Sequence, residues 1–361
     1  MASSLKRLAV CGMAVCVMAV CGMAVLASFM WAEAADAADF KGKTISMIIG
    51  SEAGGGSDAT GRLMAPFFEK YLPGNPQIVV RNVPGAHGIT ALNYVVQQTK
   101  PDGLTVIAAS SAQANPLTIR KDRAIYDPLD FKYIGGVGRG GTVVLINRES
   151  EKRLHDKSAP PLFFGVLDGT RSGEQVAVWG IEYLGWNAKW VVGYRGTSAV
   201  MLALERGEVD MNTTGNIFHV KRLIDTGKFR ILSQSGSLDG EHFVGRPDFG
   251  DAPVFADLMA GKINDPVAKQ AFAYWEAING LDKWLALAGG TPDDIVSDYR
   301  VAFQKAVEDP DFATLGKRIS DDLSPMSHQS VEFLVRKMAG TTDEAEEFVK
   351  KLQRKQGLRV E

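Results

Sequence analysis

The sequence contains very little cysteine and histidine. Its three cysteines, Cys11, Cys16 and Cys21, all lie in an apolar N-terminal segment. The rest of the chain therefore has no disulfide and no thiolate metal site. The five histidines are scattered, with no pair at metal-ligand spacing, so we expect neither a metal nor a cofactor. The chain beyond the segment, roughly 320 residues long, must depend on its hydrophobic core, and its length suggests two domains.

An excess of charge of one sign is also absent. Lys and Arg number 40 against 42 Asp and Glu, which gives a net charge of -2 at pH 7. Proteins that bind nucleic acid or an anionic membrane surface usually carry a basic patch. The near-neutral balance gives no electrostatic reason to expect either partner, and we predict that the chain binds no nucleic acid.

The motifs of common catalytic sites are missing or lie in the wrong context. Residues 56–61 have the glycine spacing of a phosphate loop, but Arg62 and Leu63 stand where Lys and Ser or Thr are required. Residues 136–141 match G-x-G-x-x-G, yet a strand pattern follows them instead of the required helix. No G-x-S-x-G elbow and no H-E-x-x-H pair occurs. We therefore expect no enzyme; a hydrolase or isomerase on a similar scaffold is an alternative without a supporting motif.

The N-terminus has the pattern of a secretory signal. Lys6 and Arg7 precede an uncharged apolar stretch over residues 8–30, and small residues follow. Cleavage fits after Ala34 or after Ala37, and we assign residues 1–37 as the signal peptide. The stretch is also as long as the ~20 residues that cross a bilayer, so an uncleaved membrane anchor is the alternative. The sequence thus predicts export to the periplasm.

The remaining chain alternates strand and helix patterns. Apolar runs at residues 44–50, 77–81 and 104–109 predict strands, with amphipathic helices at 59–71 and 89–99 between them. A glycine cluster at 135–141 looks like a joint, after which strand and helix patterns alternate again to residue 233. Beyond Gly250 the pattern is mainly helical. Such alternation predicts an α/β fold with mostly parallel sheets, whose ligands bind beyond the carboxyl ends of the strands.

The first loop at such an end is rich in glycine. Gly54, Gly55 and Gly56 are followed by Ser57 and Asp58 and then by a helix pattern. Glycines let backbone N–H groups approach a ligand, and a helix N-terminus favours an anion. A plain tight turn is the competing interpretation. Asp58 fits a capping role better than anion binding because its carboxylate repels anions.

Several motifs in the same order resemble one receptor family. The G-G-G-S-D segment at 54–58 with Arg62 is similar to the opening signature of the solute receptors of tripartite tricarboxylate transporters, the Bug receptors. Further similar segments are N-V-P-G-A-H-G at 82–88, P-D-G-L-T at 101–105, Y-D-P-L-D at 126–130, G-Y-R-G-T at 193–197 and R-G-E-V-D at 206–210. Each motif is weak alone, and their shared order carries the resemblance, which fades after Gly250.

The resemblance implies a type II periplasmic-binding-protein fold with two lobes joined by two crossing strands. Residues 38–141 and 250–361 would form lobe 1, and residues 142–249 would form lobe 2. A small carboxylate would bind between them, such as a di- or tricarboxylate, an acidic amino acid or an aromatic acid. The receptor would work as a monomer, close around its ligand and deliver it to a permease with one large and one small subunit. A sensor for periplasmic signalling is the alternative use of the same lobes.

The resemblance also implies which residues contact the ligand. The first lobe would contribute Gly55, Gly56, Ser57, Asp58, Ala86, His87, Gly88, Ser110 and Ser111, and the second would contribute Thr170, Arg171, Ser172, Thr197, Thr213 and Asn216. Three positions depart from the family pattern, and one of them is Val254, which stands where threonine is usual. Gly193 replaces the usual proline, and Arg171 stands where small residues line the cleft. Arg171 pairs with a second carboxylate of the ligand, or it is a solvated loop arginine, or it is a partner of Asp168.

Overall fold

The computed structural model describes residues 39–121, 124–139, 141–169, 171–320 and 323–360. A six-stranded sheet has the order β2-β1-β3-β12-β4-β13. Its strands are β1 (Thr44–Ile49), β2 (Gln77–Asn82), β3 (Thr105–Ser110), β4 (Lys132–Arg139), β12 (Lys283–Leu287) and β13 (Leu323–Ser327). The helices of the same part of the chain are α1 (Gly56–Tyr71), α2 (Ile89–Gln98), α3 (Ser111–Ala114), α4 (Pro116–Lys121), α10 (Asp293–Glu308), α11 (Pro310–Gly316) and α12 (His328–Ala339).

A five-stranded sheet has the order β7-β6-β8-β5-β9. Its strands are β5 (Val143–Asn147), β6 (Leu162–Gly165), β7 (Ala188–Val191), β8 (Met211–Thr214) and β9 (Phe229–Gln234). Helices α5 (Val176–Tyr183), α6 (Thr197–Arg206) and α7 (Ile217–Asp225) connect them. A hairpin of β10 (Ser237–Asp239) and β11 (His242–Val244) follows, and then come α8 (Phe255–Met259) and α9 (Pro266–Gly280). The last helix is α13 (Asp343–Lys355).

Both sheets are mixed, whereas the alternation of strand and helix patterns predicted mostly parallel ones. In the six-stranded sheet β1 runs parallel to β2 and β3, but β12 is antiparallel to both β3 and β4. In the five-stranded sheet β6 is parallel to β7 and β8, and β5 is antiparallel to β8 and β9. The difference comes from β4 and β5, which carry the chain from one sheet to the other, and from β12, which the helical pattern after Gly250 concealed.

Most of the predicted glycine joint is a strand, so the prediction was wrong for residues 135–139, and a joint at residues 140–142 stays a prediction. Gly135 and Gly136 lie inside β4, between β12 and β13. A Cβ at Gly135 would lie 2.4 Å from the ring of Phe303 in α10, and one at Gly136 would lie 2.6 Å from the carbonyl oxygen of Lys283. The glycines therefore allow a helix and a neighbouring strand to pack closely on β4. Only residues 140–142 separate β4 from β5.

Each sheet has its own apolar core. The core of the six-stranded sheet includes Ile48, Ile107 and Trp284, with Leu92 of α2 and Leu334 of α12 packed on them. One face of the five-stranded sheet buries Val143 and Leu145 against α6 and α7. Its other face buries Phe164, Trp179 and Trp186 in a second apolar cluster.

Residues after Gly250 also pack on that second face of the five-stranded sheet. Phe255, Trp275 and Val349, from α8, α9 and α13, belong to the same cluster as Trp179. Helix α9 also contributes Ala277 to the core of the six-stranded sheet. The chain after Gly250 thus packs on both sheets. The lobe boundaries at 141/142 and 249/250 stay a prediction.

The predicted signal segment, residues 1–37, lies outside the described residues. Within the part of the chain that the structure describes, no helix is long and apolar enough to cross a bilayer.

Candidate functional site

A cleft of about 780 Å³ lies between loops of the two sheets. The five-stranded sheet supplies most of its lining, through the loop after β6 and the residues that follow β8. The six-stranded sheet supplies Ser111 after β3 and Arg139 at the end of β4. The end of α9 and the start of β12 lie between them and contribute Asn279 and Asp282. The cleft therefore has walls from both sheets, and its volume suits a small molecule.

The wall after β8 is made of short polar residues. Thr213, Thr214, Gly215 and Asn216 line the cleft in sequence. The side-chain oxygen of Asn216 accepts hydrogen bonds from the backbone N–H groups of Phe218, at 2.9 Å, and His219, at 3.3 Å, and so caps α7. The positive end of the α7 dipole thus points toward the cleft, where it favours an anion.

The loop after β6 is held by a buried carboxylate. Glu174 accepts hydrogen bonds from the backbone N–H groups of Leu167, at 3.0 Å, and Gly169, at 2.8 Å. Gln353 of α13 donates to the carbonyl oxygen of Gly169 at 3.0 Å. These bonds fix the loop from both sides, and Arg171 projects from it with an exposed side chain that lines the cleft. Arg171 makes no ion pair with Asp168 or any other carboxylate among the described residues.

Two tryptophans hold a serine loop in each sheet. The indole N–H of Trp275 in α9 donates to the carbonyl oxygen of Ser172 at 2.8 Å. The indole N–H of Trp284 in β12 donates to the carbonyl oxygen of Ser110 at 2.8 Å. Asn279 adds a 3.3 Å bond to the Ser172 carbonyl. Residues 275–284 thus form the floor of the cleft and connect its two walls; we call them the floor segment.

The glycine-rich loop before α1 is organised by Asp58. This side chain is buried and accepts hydrogen bonds from the backbone N–H of Gly54 at 2.8 Å, from Arg62 at 3.0 Å and from Asn82 at 2.9 Å. Burial acts to raise the pKa of Asp58, but these bonds outweigh it and lower the pKa to about 2. The N-cap of α1 is Gly55. Asp58 therefore fixes the loop from inside, and the expected capping role was wrong.

The turn before α2 has an unusual backbone. Ala86 has φ 46° and His87 has φ 52°, and Gly85 and Gly88 on either side also have positive φ. Left-handed conformations of this kind cost non-glycine residues about 1 kcal/mol or more. The buried side chain of Gln113 holds the turn, since it donates to the carbonyl oxygen of His87 and accepts from the Ser110 N–H at 2.6 Å. The turn and the Ser110 loop are thereby joined.

A cluster of charged side chains connects β4 of the six-stranded sheet to the floor segment. Asp282 accepts a 2.9 Å hydrogen bond from Arg139 and also pairs with Lys283. Burial acts to raise the pKa of Asp282, but the charge of Lys283 and the bond from Arg139 outweigh it and hold the pKa below its usual range. The Lys283 side chain reaches the loop before α1, since a Cβ at Gly56 would lie 3.0 Å from its Cε. Arg139 and Lys283 thus both pair with Asp282.

One histidine, His219 of α7, lies half-buried at the cleft. Its Nδ1 is buried and has no hydrogen-bond partner among the described residues. Burial, with a smaller contribution from Arg222, lowers the pKa of His219. It is therefore neutral at pH 7. Among the described residues no group of three His, Cys, Asp or Glu side chains could hold a metal ion.

The fold is similar to that of known receptors. The crystal structure of a TctC solute-binding protein from Polaromonas, determined without ligand, aligns with a TM-score of 0.64. It is 19% identical and covers 86% of this chain and 98% of its own. The chain has the fold of a solute-binding protein. This likeness confirms the α/β class and the two-lobed type II architecture that the resemblance implied.

Two other solved structures are similar at lower TM-scores. The periplasmic binding protein BugD is 19% identical, covers 88% of this chain and 98% of its own, and has a TM-score of 0.44. MatC from Rhodopseudomonas palustris, solved with bound malate, is 17% identical, covers 86% and 98%, and has a TM-score of 0.42. No protein-family model and no curated protein sequence matches the chain.

The solute-binding-protein fold places the sequence-predicted residues in two groups. Six of them line the cleft together, namely Ser111, Arg171, Ser172, Thr197, Thr213 and Asn216. Thr170 lies outside the described residues. The other eight do not line it; they are Gly55, Gly56, Ser57, Asp58, Ala86, His87, Gly88 and Ser110. Their loops are nonetheless packed together, since a Cβ at Gly50 would lie 2.8 Å from the Cα of Gly88. A ligand role for these eight stays a prediction.

No sequence motif predicted that the floor segment and Arg139 would lie at the cleft. Trp275, Asn279 and Asp282 lie where the family resemblance fades, and no motif marks them. The strand β12 could have been found, because its K-W-L-A-L sequence is an apolar run that precedes a G-G-T-P turn. The polar residues just before it would then have been expected at a strand end.

Proposed function

We propose that the chain is a divergent Bug-type receptor of a tripartite tricarboxylate transporter, which captures a small carboxylate in its cleft and catalyses no reaction. The fold likeness to the TctC protein supports the receptor class. The observation that carries the carboxylate assignment is the wall formed by Thr213 to Asn216, where hydroxyl groups, an amide and the positive end of α7 line one cleft. The exposed guanidinium of Arg171, in the loop after the neighbouring strand β6, adds a positive charge.

Capture proceeds by closure of the two lobes. The short connection between β4 and β5 and the segment after β9 act as the hinges. An open state admits the acid, and contacts from both walls stabilise the closed state, so that binding shifts the population of the two states. The side chain of Phe218, 62% exposed at the cleft, would lose water contact on closure.

The location and partners of the receptor are also part of the proposal. Residues 1–37 would direct export to the periplasm and be removed there. The loaded receptor would work as a monomer and deliver its ligand to a permease with one large and one small membrane subunit. The permease, and not this chain, would then move the acid across the membrane.

A thermal-shift screen tests the carboxylate assignment. The purified mature chain is heated with mono-, di- and tricarboxylates, acidic amino acids and aromatic acids, and in parallel with sugars and neutral peptides. A ligand at a hundred times its dissociation constant adds about 2.7 kcal/mol to the stability of the folded state. At least one carboxylate is expected to raise the melting temperature by several degrees. A shift with sugars or peptides and with no carboxylate would show the anion assignment to be wrong.

A further inference from the structure

We propose that residues 353–358, at and just after the end of α13, position the cleft loop that follows β6, so that their packing on this loop is coupled to ligand binding. This inference rests on the proposed function and adds to it residues that do not touch the ligand. None of the described residues 353–358 lines the cleft. They act on the loop through Gly169, which does not line the cleft either, whereas Leu167 and Arg171 on either side of it do.

The first contact with the loop is a hydrogen bond from a buried amide. The Gln353 side chain is almost completely buried, and its Nε2 donates to the carbonyl oxygen of Gly169 at 3.0 Å. The N–H of Gly169 donates to Glu174 at 2.8 Å, so both polar backbone groups of this residue are paired. Gly169 is itself buried. Without the Gln353 amide its carbonyl would lose this partner, which would destabilise the observed form of the loop.

The second contact with the loop is apolar. Leu358 is buried, and a Cβ at Gly169 would lie 2.6 Å from the Cδ2 of Leu358. Gly169 has φ 79°, a left-handed conformation that favours glycine. The lack of a side chain at this position thus lets Leu358 pack directly on the loop backbone. The N–H of Leu358 donates to the carbonyl oxygen of Gln353 at 3.0 Å, so one short turn carries both contacts.

The same residues also hold the helix that follows the loop. The Nε2 of Gln356 donates to the carbonyl oxygen of Val178 in α5 at 3.0 Å. Lys355 pairs with Glu182 of the same helix at 2.8 Å, although this pair is solvent-exposed and contributes little to stability. The loop after β6 and the start of the next element are therefore held by one stretch of six residues.

Arg171 lies between two backbone groups that are held from outside the loop. On one side, the Gly169 carbonyl accepts from Gln353 of α13. On the other, the Ser172 carbonyl accepts from Trp275 of α9. A loop that is ordered before binding costs less conformational entropy when the ligand binds. Loss of the contacts at Gly169 would leave the loop anchored on the Ser172 side alone, and a ligand would then have to order the rest.

Coupling of this kind acts in both directions. If the packing of Leu358 raises the affinity for an acid, a bound acid stabilises the packing of Leu358 by the same factor. The N–H of Leu358 reports on this packing because it is hydrogen-bonded to Gln353. Its exchange with deuterium should therefore slow when an acid fills the cleft, although the acid does not touch it.

Hydrogen–deuterium exchange of the ligand-free protein is the first test. Leu358→Ala and Gln353→Leu should each speed the exchange of the Leu167 and Gly169 amides about ten-fold or more, because the loop opens more often. Leu358→Met keeps most of the side-chain volume and should restore slow exchange. The control is Val349→Ala, which removes buried apolar atoms from the middle of α13 and should leave these amides at the wild-type rate.

Calorimetric titration with malate, adipate, citrate, glutamate and benzoate is the second test. Each acid that binds the wild-type chain should bind Leu358→Ala and Gln353→Leu about ten-fold or more weakly. Leu358→Met and Val349→Ala should keep the wild-type affinity. The same acid should slow the exchange of the Leu358 N–H in the wild-type chain by a comparable factor. The melting temperature of each variant checks that it is folded.

The outcomes separate the two proposals. Wild-type exchange of the loop amides in both Leu358→Ala and Gln353→Leu, or unchanged affinity in both, would show the positioning role to be wrong while the receptor assignment stands. Equal effects in Val349→Ala would also overturn it, since general loosening of the core would then be the cause. Binding of none of the five acids by the wild-type chain would overturn the proposed function, and exchange in the ligand-free loop would still decide the positioning role.

Discussion

Single buried carboxylates fix the backbone of a loop in each half of the molecule. Asp58 accepts from the N–H of Gly54, and Glu174 accepts from the N–H groups of Leu167 and Gly169. An ionised carboxylate with several donors orders a glycine-rich loop that would otherwise lose much conformational entropy on folding. In the sequence these carboxylates look like groups that would repel an anionic ligand. In the structure they stabilise their loops by accepting hydrogen bonds from the loop backbone.

Asp58 should make the stability of the protein depend on acid pH. Its folded pKa of about 2 lies below the unfolded value of 3.8, so its contribution is present above pH 5 and is lost as the pH falls toward 2. The size at neutral pH is about 2 kcal/mol. Asp58→Asn should flatten the urea stability curve between pH 5 and pH 2. The exposed Asp293 is the control, and an equal effect of Asp293→Asn would contradict the special role of Asp58.

A substitution at Asn216 distinguishes the capping of α7 from the binding of the ligand. Asn216→Asp keeps a good N-cap for α7 and adds a negative charge at its positive end, so stability should stay the same or rise by a few tenths of a kcal/mol. The new carboxylate should repel an acid in the cleft and weaken its binding about ten-fold or more. Calorimetry and thermal unfolding measure the two effects.

The control for Asn216→Asp is Ser327→Asp. Ser327 caps α12 through a 3.1 Å bond from the Ser330 N–H and does not line the cleft. The added charge and the capping chemistry are the same, so ligand affinity should not change. Equal losses of affinity in both variants would point to net charge as the cause and not to a site at Asn216.

Among the elements, β4 shows how glycine can conceal a strand. Its K-Y-I-G-G-V-G-R sequence has the composition of a flexible joint, but Gly135 is a contact for Phe303. Gly135→Ala should reduce the free energy of unfolding by about 1–3 kcal/mol through overpacking. Gly138→Ala, in the same strand with no atom within 4 Å of the added Cβ, should change it by less than about 0.5 kcal/mol. Urea unfolding compares them, and a double variant with Phe303→Leu should recover part of the loss.

The elements that the sequence predicted well are those with a local signal. Helix 59–71 was expected and is observed as α1 (Gly56–Tyr71), and strands β1, β2 and β3 begin and end within one residue of their predicted bounds. Strand β12 was missed because the mainly helical pattern after Gly250 concealed its short apolar run, and its neighbours in the sheet are distant in sequence. Gly193 has φ 102°, which a proline cannot adopt. Gly193 therefore gives the turn a backbone geometry that the family's proline could not adopt, and does not only make the turn more flexible.

The cleft could be predicted only in part for the same reason. Thr213 lies at the end of a strand and Asn216 comes directly before a helix, a local pattern that the sequence displays. Arg139 reaches the cleft because β4 pairs with β12, and Asp282 because α9 ends between the two sheets. Long-range pairings of this kind leave no mark in one sequence.

At the scale of the whole molecule, the chain after Gly250 supports both walls of the cleft. Trp275→Phe removes the donor to the Ser172 carbonyl and should lower stability by about 1–3 kcal/mol. It should also weaken carboxylate binding several-fold, because the Arg171 loop becomes less ordered. Trp179 is a matched control, since it is fully buried in the same core and its indole N–H has no hydrogen-bond partner among the described residues.

Trp179→Phe should therefore lower stability through lost packing alone and leave the affinity of the folded protein unchanged. Chemical denaturation and calorimetry on both variants give the two quantities. A loss of affinity in Trp179→Phe as large as that in Trp275→Phe would mean that general loosening of the core, and not the bond to Ser172, controls the loop.

The floor segment has a consequence for the size of molecule that the protein accepts. Trp275 and Trp284 tie the Ser172 and Ser110 carbonyls to one continuous stretch of helix and strand. The covalent length of that stretch stays constant when the lobes rotate. The distance between the two serine loops at the base of the cleft is then the same in the open and the closed state. We expect the protein to select its ligands sharply by chain length in that direction, and to tolerate different substituents only toward the mouth of the cleft.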